Sequence, residues 1–235
     1  LIKGFFLIKM VIVSKNNPLV KELAALKEKK FRKERGAFLV EGEKMVRECL
    51  KSGLAVSRVI AREDYRGEIV PDAVLGQDAF KAVCDEKTPQ RLLAEVKLPQ
   101  TELRAPQASC LLLDGVSDPA NVGAIVRTAV AAGYREIYCV SCADPHSPKS
   151  VRASMSGVFF ATVMQGSREE ALRSLAGVPL IAADMNGENA FAFSAPPKFA
   201  LCIGNEGNGL SQQVSERAAY TVKIPMGEHT ESLNA

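Results

Sequence analysis

The sequence predicts an α/β protein: a C-terminal domain built on a parallel sheet, preceded by a smaller α/β domain. Three observations support this fold class. Short apolar segments alternate with helical segments along the second half of the chain, a pattern typical of a parallel sheet covered on both faces. A proline-containing segment with few apolar residues lies near the middle of the chain. The 235 residues, 47% of them hydrophobic, are enough for two modest cores.

The first domain is expected over residues 10–98. Asn17-Pro18 is typical of a helix start, because asparagine is a good N-cap and proline is favoured in the first turn. Short strands and helices then alternate. They are expected, in order, as a strand over 37–40, a helix over about 43–50, a strand over 58–61 and a helix over 78–84.

Residues 99–107 are expected to form a linker, and residues 108–235 the second domain. A strand at Cys110–Leu113 precedes a helix from about Asn121 to Ala132, which Gly133 closes. The remaining strands are expected at 136–140, 158–164, 179–183, 199–203 and 221–224.

Charge is distributed unevenly along the chain. Residues 1–106 contain 21 Lys and Arg against 15 Asp and Glu, whereas residues 107–235 contain 9 against 12. The basic excess is densest within residues 21–35, which hold seven bases and three acids. This asymmetry indicates an anion-binding half joined to a half with another task. Ordinary solvated helix faces explain the same charges equally well.

The six cysteines predict neither a disulfide framework nor a metal site. Cys139 and Cys142 have CxxC spacing but no second pair, and the only histidines are His146 and His229. We therefore expect reduced thiols and no bound metal. The apolar segment 1–13 is interrupted by lysines and too short to span a membrane, so no membrane association is expected.

The first candidate site segment, Asn121-x-Gly123-x-x-x-Arg127, lies at the start of the predicted helix. Arg127 lies off the apolar stripe of this helix and beside the small residues Gly123 and Ala124. Small residues let another backbone or a ligand approach closely, and Arg127 would point along that contact. A surface arginine beside a packing strip explains the pattern as well.

The second segment is a glycine-rich turn after an apolar strand, Ile203-Gly-Asn-Glu-Gly-x-Gly-Leu-Ser211. Such turns often hold ligands in open α/β sheets. The turn has no lysine, which excludes a Walker A motif, and its glycines do not follow the GxGxxG order. Glu206 would repel a pyrophosphate but suits a ligand that is positive nearby, such as a sulfonium amino acid. A plain tight turn stays the alternative.

The third segment follows the last predicted strand. Pro225 ends that strand within Ile224-Pro-Met226, because proline lacks the N–H that a central strand needs. After a short loop, Ser232-Leu-Asn234 begins with a residue suited to cap a helix. The N–H groups of such a helix start and the Asn234 amide are suited to bind a ligand.

Together and in this order, the three segments resemble the three motifs of the SpoU/TrmH family of SPOUT methyltransferases. The resemblance covers about residues 110–235. Arg35-Gly-x-Phe-Leu-Val-Glu-Gly42 and Thr88-Pro-Gln90 resemble, more loosely, the substrate-binding domain that precedes the catalytic domain in many members.

This resemblance implies a SPOUT-like catalytic domain whose C-terminal segment is threaded into a trefoil knot, an exception to the usual absence of knots. Members are usually homodimers, continue after the third motif into a helix that completes the knot, and bind S-adenosylmethionine there. This sequence ends at Ala235. The implied cofactor-binding residues are Leu201, Ile203, Gly204, Asn205, Gly207, Ile224, Met226, Ser232 and Leu233.

The resemblance also implies the catalytic residues Asn121, Arg127, Glu206, Ser232 and Asn234. Because a guanidinium stays protonated in proteins, we expect Arg127 to fix a phosphate and stabilise a developing alkoxide, with Asn121 or Glu206 holding it in place. The basic residues expected to contact RNA are Lys29, Lys30, Arg32, Lys33 and Arg35.

We therefore expect a cytoplasmic enzyme that methylates a ribose 2′-hydroxyl of RNA with S-adenosylmethionine. The separate N-terminal domain favours ribosomal RNA, by analogy alone. Two alternatives stay open: a transfer RNA substrate, and a non-catalytic RNA-binding protein that kept the fold. A Rossmann-type nucleotide enzyme is excluded, because no glycine fingerprint follows the first strand of the second domain.

Overall fold

A computed structural model describes residues 10–227 of the chain. The chain divides into two compact units, Leu1–Pro99 and Gln100–Ala235. Each unit is an α/β structure with its own sheet and its own hydrophobic core. The predicted fold class is therefore confirmed. No helix within residues 10–227 has the length and apolar character needed to cross a membrane.

The first unit is built on a mixed five-stranded sheet. Its strand order is β1–β4–β3–β5–β2, with β5 antiparallel to both of its neighbours and the other pairs parallel. The elements in chain order are β1 (Val11–Ile12), α1 (Pro18–Ala25), α2 (Lys29–Arg35), β2 (Ala37–Glu41), α3 (Glu43–Lys51), β3 (Val56–Arg62), β4 (Ala73–Leu75), α4 (Gln77–Val83) and β5 (Leu92–Lys97).

Local signals fix the ends of the first helices. The Asn17 side chain accepts a hydrogen bond from the Leu19 N–H at 2.9 Å, as expected of an N-cap. Gly36 ends α2 in the left-handed conformation. Gly42 has a φ of 97°, and a side chain there would approach Gln90, whose side-chain oxygen accepts the Glu43 N–H. The two segments that resemble the substrate-binding domain thus meet in space.

The second unit is built on a six-stranded sheet, β11–β9–β10–β6–β7–β8, in which every pair is parallel. The parallel sheet predicted for this half is confirmed. The elements are β6 (Cys110–Asp114), α5 (Pro119–Ala131), β7 (Glu136–Val140), α6 (Pro148–Ala153), a 3₁₀ helix (Gly157–Phe159), β8 (Thr162–Gly166), α7 (Arg168–Ser174), β9 (Leu180–Asn189), β10 (Ala200–Gly204), α8 (Gln212–Ser215) and β11 (Ala218–Lys223).

One predicted strand is wrong in its first half. Residues 158–164 were expected as one strand, but a 3₁₀ helix covers Gly157–Phe159 and the strand covers Thr162–Gly166. Val158 and Phe159 are buried in the helical turn, and a short buried apolar run has the same sequence signature in either structure. The structure also starts α5 two residues before Asn121, with Asp118 as its N-cap.

Residues 100–107, most of the segment expected as a linker, belong to the second unit. The Thr101 hydroxyl donates to the carbonyl of Val163 at 2.8 Å, and the Tyr138 hydroxyl donates to the carbonyl of Arg104. The Gln107 N–H donates to Glu136 at 2.7 Å. Residues 228–235, which include the segment expected to be threaded through the knot, lie outside the described residues.

Candidate active site

The first two site segments meet at one edge of the parallel sheet. In the sheet register Gly204, the last residue of β10, pairs with Asp114, the last residue of β6. The loops that follow these two strands therefore leave the sheet side by side. Ligands of open parallel sheets bind at this carboxyl edge.

Glu206 and Asn121 form the centre of the site. The Asn121 amide donates to one carboxylate oxygen of Glu206 at 2.7 Å, and Asn121 is itself buried. Ser117 donates to the other oxygen from its N–H at 3.2 Å and its hydroxyl at 3.1 Å. The Asp118 N–H and the Asn205 amide donate to Glu206 at 3.4 and 3.3 Å. Both oxygens of Glu206 are thus bound by donors.

These donors keep Glu206 ionised. Burial raises the pKa of Glu206. Hydrogen bonds from Asn121 and from the backbone N–H groups of Glu206, Ser117 and Asp118 outweigh this effect and bring the pKa down to about 2. The turn therefore carries a carboxylate whose charge is satisfied within the protein. Within the described residues Glu206 contacts Asn121 and does not contact Arg127. The expectation that Glu206 holds Arg127 directly is therefore not met in this part of the chain.

The glycine-rich turn is closed by Asn205. Its N–H and carbonyl each bond Gly209 at 2.9 Å, its side-chain oxygen accepts the N–H groups of Gly207 and Asn208 at 3.0 Å, and its amide donates to the Gly115 carbonyl at 2.9 Å. A methyl group at Gly204 would lie 2.2 Å from the carbonyl carbon of Gly209. Only glycine therefore fits at the start of this turn.

A buried carboxylate that the sequence reasoning missed supports both loops. Asp114 is 1% exposed and accepts two hydrogen bonds from Arg168, at 2.9 and 2.7 Å, and one from the Ser211 N–H at 2.8 Å. It thereby ties the end of the glycine-rich turn to β6 and to the start of α7. The sequence signal for this residue is an aspartate at the end of an otherwise apolar strand. Ser117 was missed as well, and its sequence context gives no signal.

Arg127 lies on α5, six residues beyond Asn121, which is about 9 Å along a helix axis. The helix is held tightly at this level. A methyl group at Gly123 would lie 2.3 Å from the Ser150 carbonyl oxygen, and one at Gly157 would lie 3.0 Å from the Arg127 Cα. Arg127 is exposed, and its guanidinium has no hydrogen bond or ion pair to any described residue. Within the described residues, Arg127 is therefore an unpaired cation on a closely packed helix.

Of the residues predicted to contact the cofactor, Ile203 and Gly204 end β10 at the carboxyl edge, whereas Leu201 lies nearer the start of that strand. Leu201 and Ile203 are half-buried on β10, the third strand from one sheet edge, although Ala200 and Cys202 beside them are fully buried. Ile224 and Met226, after β11, are 52% and 37% exposed. These apolar groups offer a surface to a nucleoside-sized ligand. Ser232, Leu233 and Asn234 lie outside the described residues.

The basic residues of α2 divide into two sets. Lys29, Lys30 and Lys33, called the α2 lysines below, are exposed. Arg32 is 3% exposed and donates to the carbonyls of Leu26 and Lys27 at 2.8 and 2.6 Å, so its expected contact with RNA is corrected to a contact inside the protein. Arg35 is paired with Glu22 and Glu95 at 3.0 and 2.6 Å.

The residues at this edge of the sheet fit S-adenosylmethionine. Within residues 10–227 no cluster of three or more His, Cys, Asp or Glu side chains is placed to hold a metal. Half-exposed apolar side chains, a turn in which glycine leaves the backbone accessible, and one satisfied carboxylate suit an adenosine joined to a sulfonium amino acid.

The six-stranded parallel sheet, with the first two motifs in contact at its carboxyl edge, agrees with the class of SPOUT methyltransferases that the three motifs predict. Residues 108–235 match the SpoU rRNA Methylase family, and residues 17–94 match the MRM3-like substrate binding domain. The chain belongs to the SpoU rRNA methylase family and uses S-adenosylmethionine.

Individual relatives cover nearly the whole chain. The 23S rRNA (guanosine(2553)-2′-O)-methyltransferase RlmP of Bacillus subtilis is 32% identical over 95% of this chain and 93% of its own. The 23S rRNA (uridine(2479)-2′-O)-methyltransferase of Streptomyces viridochromogenes is 30% identical over 95% and 87%. The crystal structure of an AdoMet-bound rRNA methyltransferase from Sinorhizobium meliloti has a TM-score of 0.85 and 28% identity, covering 96% of this chain and 92% of that one.

Proposed function

We propose that this protein methylates a ribose 2′-hydroxyl of 23S ribosomal RNA. The observation that carries the proposal is the Asn121–Glu206 contact, which joins the first two motifs on the helix that also carries Arg127. Two relatives that match nearly the whole chain are named for 2′-O-methylation of 23S rRNA, at a guanosine and at a uridine. Because these two nucleotides differ, the names support the substrate class and leave the target nucleotide to experiment.

The cofactor would be held by two groups of residues. Leu201 and Ile203, with Ile224 and Met226, would contact its apolar parts, and Gly204, Asn205 and Gly207 would present backbone to it. Leu233 and Ser232 complete the set that the motifs predict. When bound, S-adenosylmethionine supplies a methyl group attached to a positively charged sulfur. A carboxylate held ionised nearby suits such a charge.

Arg127 would act on the RNA. A ribose hydroxyl is a weak nucleophile, so the enzyme gains most by fixing its position and stabilising the charge that develops on its oxygen. The guanidinium of Arg127 is free to bind a phosphate in a bidentate manner and remains charged. Glu206 is a poor base, because its pKa is about 2 and both oxygens accept hydrogen bonds. Glu206 and Asn121 are thus positioning residues, and Ser232 and Asn234 would contact the substrate.

The first unit would supply affinity for RNA through the α2 lysines. These side chains are exposed, and lysines that neutralise phosphates bind RNA without reading its sequence. We also propose a homodimer that works in the cytoplasm. A partly exposed strip of small residues on α5, including Ala120 and Ala124, supports the close approach of a second chain.

The test uses the full chain, labelled S-adenosylmethionine and 23S rRNA from cells that lack the corresponding gene. We expect one ribose 2′-O-methyl group per molecule of rRNA, mapped by the resistance of the adjacent phosphodiester to alkaline cleavage. Arg127→Ala, which is expected to methylate about 10²–10³-fold more slowly, is the matched variant. Methylation of transfer RNA in place of rRNA would overturn the substrate class. Cofactor-independent RNA binding without any transfer would overturn the activity.

A further inference from the structure

Two thiols lie together at the carboxyl edge of the sheet, and the proposed reaction uses neither of them. Cys139 is on β7, where it pairs with Leu113 of β6. Ser141 has a φ of 54°, in the left-handed region, and turns the chain back. As a result the Cys142 sulfur lies 3.3 Å from the carbonyl oxygens of both Leu113 and Val140. The Cys142 thiol therefore contacts the backbone of Leu113, the residue that pairs with Cys139 in the sheet.

Cys142 is the most accessible of the six cysteines. It is partly exposed, whereas the other five cysteines are buried. A hydrogen bond from Cys139 lowers the pKa of Cys142, burial opposes this, and the N–H groups of Val116 and Gly115 lower it further. Burial raises the pKa of Cys49 to about 11. A partly exposed thiol with a lowered pKa is the one that attacks a disulfide.

The same sulfur is in contact with the backbone that builds the candidate site. The Val140 carbonyl that the Cys142 thiol contacts also accepts the Gly115 N–H at 2.9 Å, and the Gly115 carbonyl accepts the Asn205 amide at 2.9 Å. Two residues later, Ser117 donates to Glu206 through its N–H and its hydroxyl. A displacement of Cys142 is therefore transmitted to the donors of Glu206 through three residues of backbone.

We propose that Cys139 and Cys142 are a redox modification site, whose reversible disulfide slows methylation by displacing the Gly115–Asp118 segment. The oxidant is a low-molecular-weight disulfide. The Cys142 thiolate attacks one of its sulfurs, forming a mixed disulfide and expelling one thiolate. Cys139 then gives its proton to solvent and attacks the Cys142 sulfur, which expels the second thiolate. The protein loses two electrons and two protons, and the small disulfide becomes two thiols.

The first experiment needs no enzymatic activity. The reduced full chain is treated with a limiting amount of iodoacetamide, and the modified peptides are quantified by mass spectrometry. We expect Cys142 to react first. Incubation with glutathione disulfide is then expected to remove two of six free thiols and to leave a bridged Cys139–Cys142 peptide. Preferential labelling of another cysteine, or a glutathione adduct that does not resolve, would overturn the proposal.

The second experiment measures the effect on methylation, and this part rests on the proposed function. Loss of one or two hydrogen bonds around Glu206 is expected to slow single-turnover methylation about tenfold in the oxidised protein. Dithiothreitol is expected to restore the rate. The Cys142→Ser variant should not respond to glutathione disulfide, and Cys139→Ala should stop at the mixed disulfide on Cys142 without forming a bridge. Cys49→Ala, which keeps the pair, should respond as the wild type does.

The outcomes separate the two proposals. A fully bridged protein that methylates at the rate of the reduced one would overturn the redox site as a control of activity. If the reduced protein transfers no methyl group at all, the proposed function fails. The labelling and bridging results still decide whether the thiol pair is reactive.

Discussion

Substituting Gly204 by alanine is expected to break the glycine-rich turn. The added methyl group would lie 2.2 Å from the Gly209 carbonyl carbon, 2.4 Å from its oxygen and 2.4 Å from the Leu210 nitrogen. All three atoms are backbone, so no side-chain rotation relieves the contact. Overpacking of this kind costs about 1–3 kcal/mol. Opening the two Asn205–Gly209 hydrogen bonds adds about 1 kcal/mol each, giving about 3–5 kcal/mol in total.

The expected readouts are thermal unfolding and cofactor binding. A loss of 3 kcal/mol lowers an unfolding midpoint by about 6–12 °C for a domain of this size. S-adenosylmethionine affinity, measured by calorimetry, should fall by more than about 100-fold if a similar free energy is lost from the turn. Gly207→Ala is the matched control for folding, since its methyl group would meet only Asn205 Oδ1, at 3.6 Å. Gly204→Ala protein with wild-type unfolding and affinity would refute the packing argument.

Three further results are expected. Arg127→Ala should lower single-turnover methylation by about 10²–10³-fold with little change in stability, and a near-normal rate would remove Arg127 from catalysis. Because the pKa of Glu206 is depressed to about 2 in the folded state, its ionisation stabilises the fold above about pH 4.5 and this contribution is lost as pH falls towards 2. The stability difference between wild type and Glu206→Gln should therefore be constant above pH 5 and shrink in acid. Alanine at all three α2 lysines should reduce the slope of log affinity for RNA against log salt concentration by about 2–3, and an unchanged slope would exclude these lysines from the RNA contact. Arg32→Ala should instead destabilise the first unit.

Much of the fold follows from local signals in the sequence. The cap at Asn17, the left-handed Gly36 and the strand at Glu136–Val140 each depend on residues close together in the chain. The error at residues 158–164 has the same origin, because buried apolar residues give no period that separates a strand from a helical turn. Met155 and Ser156 have positive φ angles and redirect the chain there, which no residue preference signals.

The site depends on contacts that the sequence does not order. Asn121 and Glu206 are 85 residues apart and meet because β10 lies directly beside β6, although three strands, three α-helices and a 3₁₀ helix separate these two strands along the chain. Periodicity identifies both strands but not their adjacency, so the family resemblance was needed to join the motifs. Arg32 shows the converse. It lies in a basic run with the pattern of an exposed helix, yet its guanidinium binds the carbonyls at the end of α1.

The two charged residues of the site, Glu206 and Arg127, differ in whether their charge is paired within the protein. A glutamate in a glycine-rich turn suggests a base or a partner for a cation when the sequence is considered alone. In the structure its two oxygens accept hydrogen bonds from Ser117, Asp118, Asn121 and Asn205, so its charge holds the protein together at the carboxyl edge. The full charge left unpaired within the described part of α5 is that of Arg127. Under the proposed function, electrostatic help to the reacting ribose would come from this cation, while Glu206 would fix the glycine-rich turn.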